Sequence, residues 1–120
     1  MPSAELNARE RDRIRGVQRV TTSYGSLLRV PAGMEMPKHY HSGTVHVYTL
    51  AGSWGYKEHH WIAGPGSFVF ETAASAHTPV AQPGEDVVTL NIVMGDWNIV
   101  DDNDAVLAVD ASANQLAHAQ

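Results

Sequence analysis

At 120 residues the chain has the length of one domain, because single domains commonly run to roughly 100–200 residues. Its 43% hydrophobic and 18% charged residues exclude intrinsic disorder. A net charge of −5 argues against a nucleic-acid partner, and the lack of cysteine removes disulfides, thiolate metal sites and thiol nucleophiles together.

Ser3 is placed to cap a helix running to about Arg15, whose few apolar residues, Leu6 and Ile14, give it a weak buried stripe. Five arginines lie in this region (Arg9, Arg11, Arg13, Arg15, Arg19), interleaved with Glu5, Glu10 and Asp12, which is the pattern of a solvated face. The N-terminus lacks the basic-then-apolar order of a secretory signal, and no apolar stretch is long enough for a bilayer. The expected location is the cytoplasm, away from membranes. Residues 1–24 therefore read as a partly helical arm.

From Gly25 the texture changes to short runs of Val, Tyr, Trp, Phe and Thr, punctuated by Gly, Pro, Asn and Asp. Strands are expected at 26–30, 36–41, 45–50, 53–57, 60–62, 67–70, 77–80, 86–94, 97–100 and 105–109. Turn residues such as Pro31-Ala32-Gly33, Gly64-Pro65-Gly66 and Gln82-Pro83-Gly84 separate them. Many short strands at this spacing predict a single all-β domain, a barrel or double-sheet jelly roll over residues 25–110. A short tail, 111–120, follows.

His39 and His41 stand i, i+2 on a predicted strand, so their imidazoles share one face. A third histidine from a distant strand, His77, can close on the same ion. Neutral imidazole suits Fe(II), Zn, Ni or Mn, and three ligands leave coordination positions open. Glu71, at the end of the aromatic run Phe68-Val69-Phe70, needs a partner such as an imidazole N–H or a water, unless it faces solvent at a rim. Tyr40 points away from its two neighbours, and Trp54, Tyr56 and Trp61 read as packing residues. His59-His60 reads as an exposed hairpin, and His118 as a solvated residue of the tail. Neither a nucleophile elbow nor a phosphate-cradling glycine loop occurs.

Gly33, five residues, His39-x-His41, four residues, His46 and then Gly52 resemble the first motif of the cupin superfamily, with histidine where glutamate usually stands and Gly52 one residue early when counted from His46. Gly66, five residues, Thr72, Ala74, His77 and Ala81 resemble the second motif in spacing more than in identity. The run from His39 to Tyr56 is similar to the 2,4'-dihydroxyacetophenone dioxygenase subgroup, which resembles acetylacetone dioxygenase. That resemblance implies a cupin-type jelly-roll barrel in which Fe(II), held by His39, His41 and His77, cleaves a C–C bond in a small ketone, hydroxyketone or diketone with O₂. It makes Glu71 a carboxylate just behind the metal ligands. A homo-oligomer, dimer or larger, is also implied.

His46 has three readings: a fourth ligand, a hydrogen-bonder near the site, or an outward residue. Tyr48 shares its parity, whereas Thr49 shares that of Val45 and Val47, so one of these sets lines the interior. Val45, Val47, Phe68, Phe70 and Val80 are expected to form an apolar substrate lining. Two other functions fit the same resemblance. One is a Zn-type Lewis-acid enzyme (isomerase, cyclase or hydratase), which four histidines would favour. The other is a non-catalytic sensing domain similar to the C-terminal domain of ChrR-type anti-sigma factors, where a helical partner-binding domain normally stands in place of the short arm here.

Overall fold

A computed structural model describes residues 14–22 and 25–110. These form strands β1 (Gln18–Thr22), β2 (Gly25–Val30), β3 (His39–His41), β4 (Val45–Ala51), β5 (Trp54–Tyr56), β6 (Phe68–Glu71), β7 (Pro79–Ala81), β8 (Val87–Val93), β9 (Trp97–Val100) and β10 (Val106–Asp110). Every pairing is antiparallel. The large sheet runs β1-β2-β8-β4-β6, and the opposing layer is built from β10-β9-β3 and β5-β7. Isolated bridges at Glu35↔Val80, His39↔His77 and Trp54↔Ala63 join the smaller pieces. This is the expected all-β double-sheet architecture.

Two elements differ from expectation. Residues 18–22, assigned to the arm, form β1 and pair along their length with β2, because the alternating Gln-Arg-Val-Thr-Thr run finds a partner edge that its composition does not announce. The segment 60–62 is loop, not strand; after Tyr56 the chain turns back and regains the ladder only at Ala63, opposite Trp54. Of the expected helix to Arg15, residues 1–13 lie outside the described residues and 14–16 form a turn. The tail 111–120 and His118 also lie outside them. No helix among the described residues is long and apolar enough to cross a membrane.

Strand periodicity decides what faces the interior. On β4, Val45, Val47 and Thr49 are buried while Tyr48 and Leu50 are exposed, and β8 buries Val87 and Thr89 in the same rhythm. The core joins these to Val30, Met36, Trp54, Tyr56, Ala63 and Ala81. A polar contact inside it is satisfied, since Trp54 Nε1 donates to Thr49 Oγ1 at 2.8 Å.

Gly52 ends β4 just after a register shift between Thr49 and Ala51. Its φ of 75° lies in the left-handed region, and an added Cβ would fall 2.5 Å from Asp86 O. Gly52→Ala should therefore cost about 2 kcal/mol or more. The urea midpoint should fall while the slope of the transition stays unchanged.

Candidate metal centre

β3 is three residues long and is ordered from both sides. On one side it pairs with β9, His39 opposite Ile99 and His41 opposite Trp97. On the other, His39 N donates to His77 O at 2.9 Å and His77 N donates back to His39 O at 2.8 Å. Residues paired in this way present side chains to the same face of the ladder. His41, two residues from His39, shares that face. The backbone thus brings His39, His41 and His77 to one side of the sheet, as the spacing predicts.

The rings are less closely drawn together. His39 and His41 lie edge to face with centroids 5.0 Å apart, whereas the His77 ring stacks on Tyr56 at 4.3 Å and its Nε2 lies 3.3 Å from Ser75 Oγ. Among the described residues, no three His, Asp or Glu side chains converge tightly enough to chelate an ion. The chemistry of the donor nitrogens, rather than their present spacing, suits a cation. His39 Nδ1 donates to Pro37 O at 2.9 Å, which fixes the proton there and leaves Nε2 with its lone pair. His41 Nδ1 and His77 Nδ1 are buried without a hydrogen-bond partner, a costly state that metal coordination would relieve. Burial drives the His39 pKa down to about 4 and that of His41 to about 3, and it also lowers His77. All three imidazoles are therefore neutral at physiological pH, the form that binds metal.

Glu71 closes one side. It ends β6 opposite Val45, points inward and is nearly buried, and desolvation raises its pKa to about 7. Its Oε1 lies 3.9 Å from His77 Nδ1. This is too long for a hydrogen bond, and with His77 neutral and Glu71 only about half ionised near pH 7 the contact is not a full ion pair. His39, His41 and Glu71 open on a cavity of about 480 Å³ with mainly apolar walls. Val45, Val47 and Val80 line it as expected, together with Met36, Trp54 and Trp97.

Phe68 and Phe70 do not line it. They are 61% and 51% exposed on the outer face, because β6 turns Val69 and Glu71 inward. His46 likewise lies on the outer side of β4, its ring 5.7 Å from Phe68 and 5.0 Å from Phe70. The inward set is Val45, Val47 and Thr49, so strand parity puts His46 on the face away from the cavity. His59 and His60 are exposed loop residues, but the His59 ring comes within 5.2 Å of His77.

Three contributors are not assigned to the site by the sequence pattern. Trp97 meets His39 edge to face at 5.4 Å, and its place at the start of a predicted strand was its sole signal. Tyr56 stacks on His77 through a pairing of β5 and β7 that no local pattern encodes. Glu58, in a loop, accepts hydrogen bonds from Thr78 N at 2.8 Å and Thr78 Oγ1 at 2.7 Å, pinning the residue that follows His77.

The family described as the ChrR cupin-like domain matches residues 9–96. An RmlC-like cupin protein of Ralstonia eutropha is 44% identical over 86% of this chain and 71% of its own, with a TM-score of 0.68. The acetylacetone dioxygenase of Acinetobacter johnsonii has the same TM-score at 20% identity, over 86% of this chain and 76% of its own, a likeness of fold. A chain of the Rhodobacter sphaeroides SigE complex with the anti-sigma ChrR is 28% identical over 58% of this chain and 37% of its own, with a TM-score of 0.53. No curated protein matches.

Proposed function

This chain belongs to the ChrR cupin-like domain family, and from that premise we propose that it is a metal-dependent enzyme, an Fe(II) dioxygenase that cleaves a C–C bond in a small ketone, hydroxyketone or diketone. The observation that carries this reading is the presentation of His39, His41 and His77 on one face beside an apolar cavity that also holds Glu71. His39, His41 and His77 would hold the ion, Fe(II) first and Zn, Ni or Mn as other occupants. Bound there, iron would supply the electron-transfer chemistry that O₂ requires.

The chain's own residues do the rest. The Pro37 carbonyl sets the His39 tautomer. Val45, Val47, Val80 and Trp97 receive an alkyl or aryl portion of the substrate and exclude water. Glu71 Oε1, with a pKa of about 7, can take and return a proton at neutral pH, as a carbon acid beside a carbonyl requires.

Elemental analysis of protein purified without added metal, followed by oxygen uptake with a panel of ketones and diketones, tests the reading. Iron near one per chain and uptake with at least one diketone are expected. Exclusion of O₂ should abolish turnover. Turnover that persists without O₂ would assign Lewis-acid chemistry instead, and tightly bound zinc with no uptake would sink the dioxygenase.

The family match favours one second reading, a non-catalytic sensing domain. That reading gains if the metal-loaded chain turns over no ketone yet co-purifies with a transcription factor.

A further inference from the structure

β8 is the middle strand of the five-stranded sheet, and its inward residues Val87, Thr89, Asn91 and Val93 form part of the cavity floor. Asn91 is the exception among them, because asparagine is depleted in strands and an amide facing an apolar cavity needs partners. Its Nδ2 has two, donating to Thr89 Oγ1 at 2.8 Å and to the Thr89 carbonyl oxygen at 3.3 Å. A carbonyl only accepts, which assigns the amide orientation and leaves Oδ1 on the side away from Thr89. Among the described residues no donor reaches Oδ1. Ser26, its cross-strand neighbour on β2, donates its hydroxyl hydrogen to Thr21 Oγ1 at 3.3 Å. Nor is Oδ1 sealed off: the buried side-chain atoms without a partner, among the described residues, are His41 Nδ1, His77 Nδ1 and Asp96 Oδ1. For an inward residue on a central strand, the open side is the cavity. The charged lining residues, Arg19 and Glu71, stand instead on the edge strands β1 and β6.

We propose that Asn91 is a specificity-determining residue of this cavity, whose Oδ1 accepts a hydrogen bond from a hydroxyl or N–H group on an otherwise apolar ligand. A hydrocarbon would leave that oxygen without a donor, and a carboxylate would meet it as a second acceptor. Asn91 pairs through Val47 with Val69, and Glu71 lies two residues beyond. Strand spacing then puts the Cα atoms of Asn91 and Glu71 about 12 Å apart, so the donor group sits on a part of the ligand remote from that carboxylate. The inference rests on the reading of this cavity as the substrate site and narrows the substrate to a donor-bearing compound.

Phenol and toluene, which exchange O–H for CH₃ at nearly equal size, test it by NMR titration of the full chain, as purified and after chelation. The ratio of their affinities removes the general preference of apolar walls for toluene. Asn91→Leu should lower the phenol-to-toluene ratio about 3- to 10-fold in both metal states, the usual worth of one neutral hydrogen bond. A crystal of the native protein with phenol should place the hydroxyl within hydrogen-bond distance of Asn91 Oδ1, a result that stands even if Asn91→Leu does not fold. A ratio unchanged by Asn91→Leu, a preference for phenol that disappears on chelation, or a hydroxyl seated elsewhere would overturn the role of Asn91 and leave the cavity as the substrate site. Failure of both probes to bind at millimolar concentration would overturn the role of Asn91 together with that reading of the cavity.

Discussion

His39→Ala is expected to yield a folded chain that has lost its metal and, with it, all catalysed turnover. His39 is the buried member of the group, and its Nδ1 is already committed to Pro37 O, so its remaining nitrogen is the one oriented in advance. Loss of a hydrogen-bonding partner behind a ligand commonly costs 10- to 100-fold in affinity, and loss of the ligand itself should cost more than about 100-fold. Mass spectrometry for metals should find less than a tenth of an equivalent. His46→Ala is the informative companion. It changes an imidazole equally close in sequence but on the other side of β4, and metal stoichiometry should not change. One equivalent of metal retained by His39→Ala, or lost from His46→Ala, would mean that the centre has been placed on the wrong face.

Glu71→Gln should do two opposite things. Turnover should fall by about 10²- to 10⁴-fold, the usual worth of a positioned proton carrier, while metal content is retained. The metal-free protein should become more stable at alkaline pH. The folded pKa of Glu71, about 7, lies above its ordinary 4.5, so the folded chain holds this proton more tightly than the unfolded chain does. Its contribution to stability is complete below pH 4.5 and is lost as pH rises through 7. At 1.36 kcal/mol per unit, the native protein gives up at most about 3 kcal/mol across that window. Glutamine, which does not ionise, should not. Urea unfolding of the chelator-treated proteins at pH 4.5 and pH 8 checks the sign: equal stabilities of the two proteins at pH 8 would show that Glu71 is not desolvated.

The contrast between these two residues explains what could be read in the sequence. The His39-Tyr40-His41 alternation, the spacing to His77 and the glycine-bounded runs encode their geometry locally, and the double-sheet fold and the ligand candidates follow from them. The inner and outer faces of β4, β6 and β8 did not separate, because both are apolar. Phe68-Val69-Phe70 gives no sign of which side meets water when Tyr48, Leu90 and Ile92 cover the outside as Val45, Val47 and Val93 cover the inside. That is why the pattern alone turns Phe68 and Phe70 toward the cavity and leaves His46 with three readings. Side-chain contacts between distant segments outside these motifs left no trace. The clamp of Glu58 on Thr78 spans twenty residues of sequence and arises from the way a loop folds over β7.

The reciprocal backbone pair between His39 and His77 has a kinetic consequence. Neither amide can exchange with solvent unless β3 separates from the segment before β7, and β3 is also zipped to β9. The two bonds form an isolated bridge, so both amides are freed by one event, the parting of segments that lie far apart in sequence. The approach of His77 to His39 is thus tied to the opening of that bridge. Deuterium uptake at His39 and His77 should therefore proceed at matched rates.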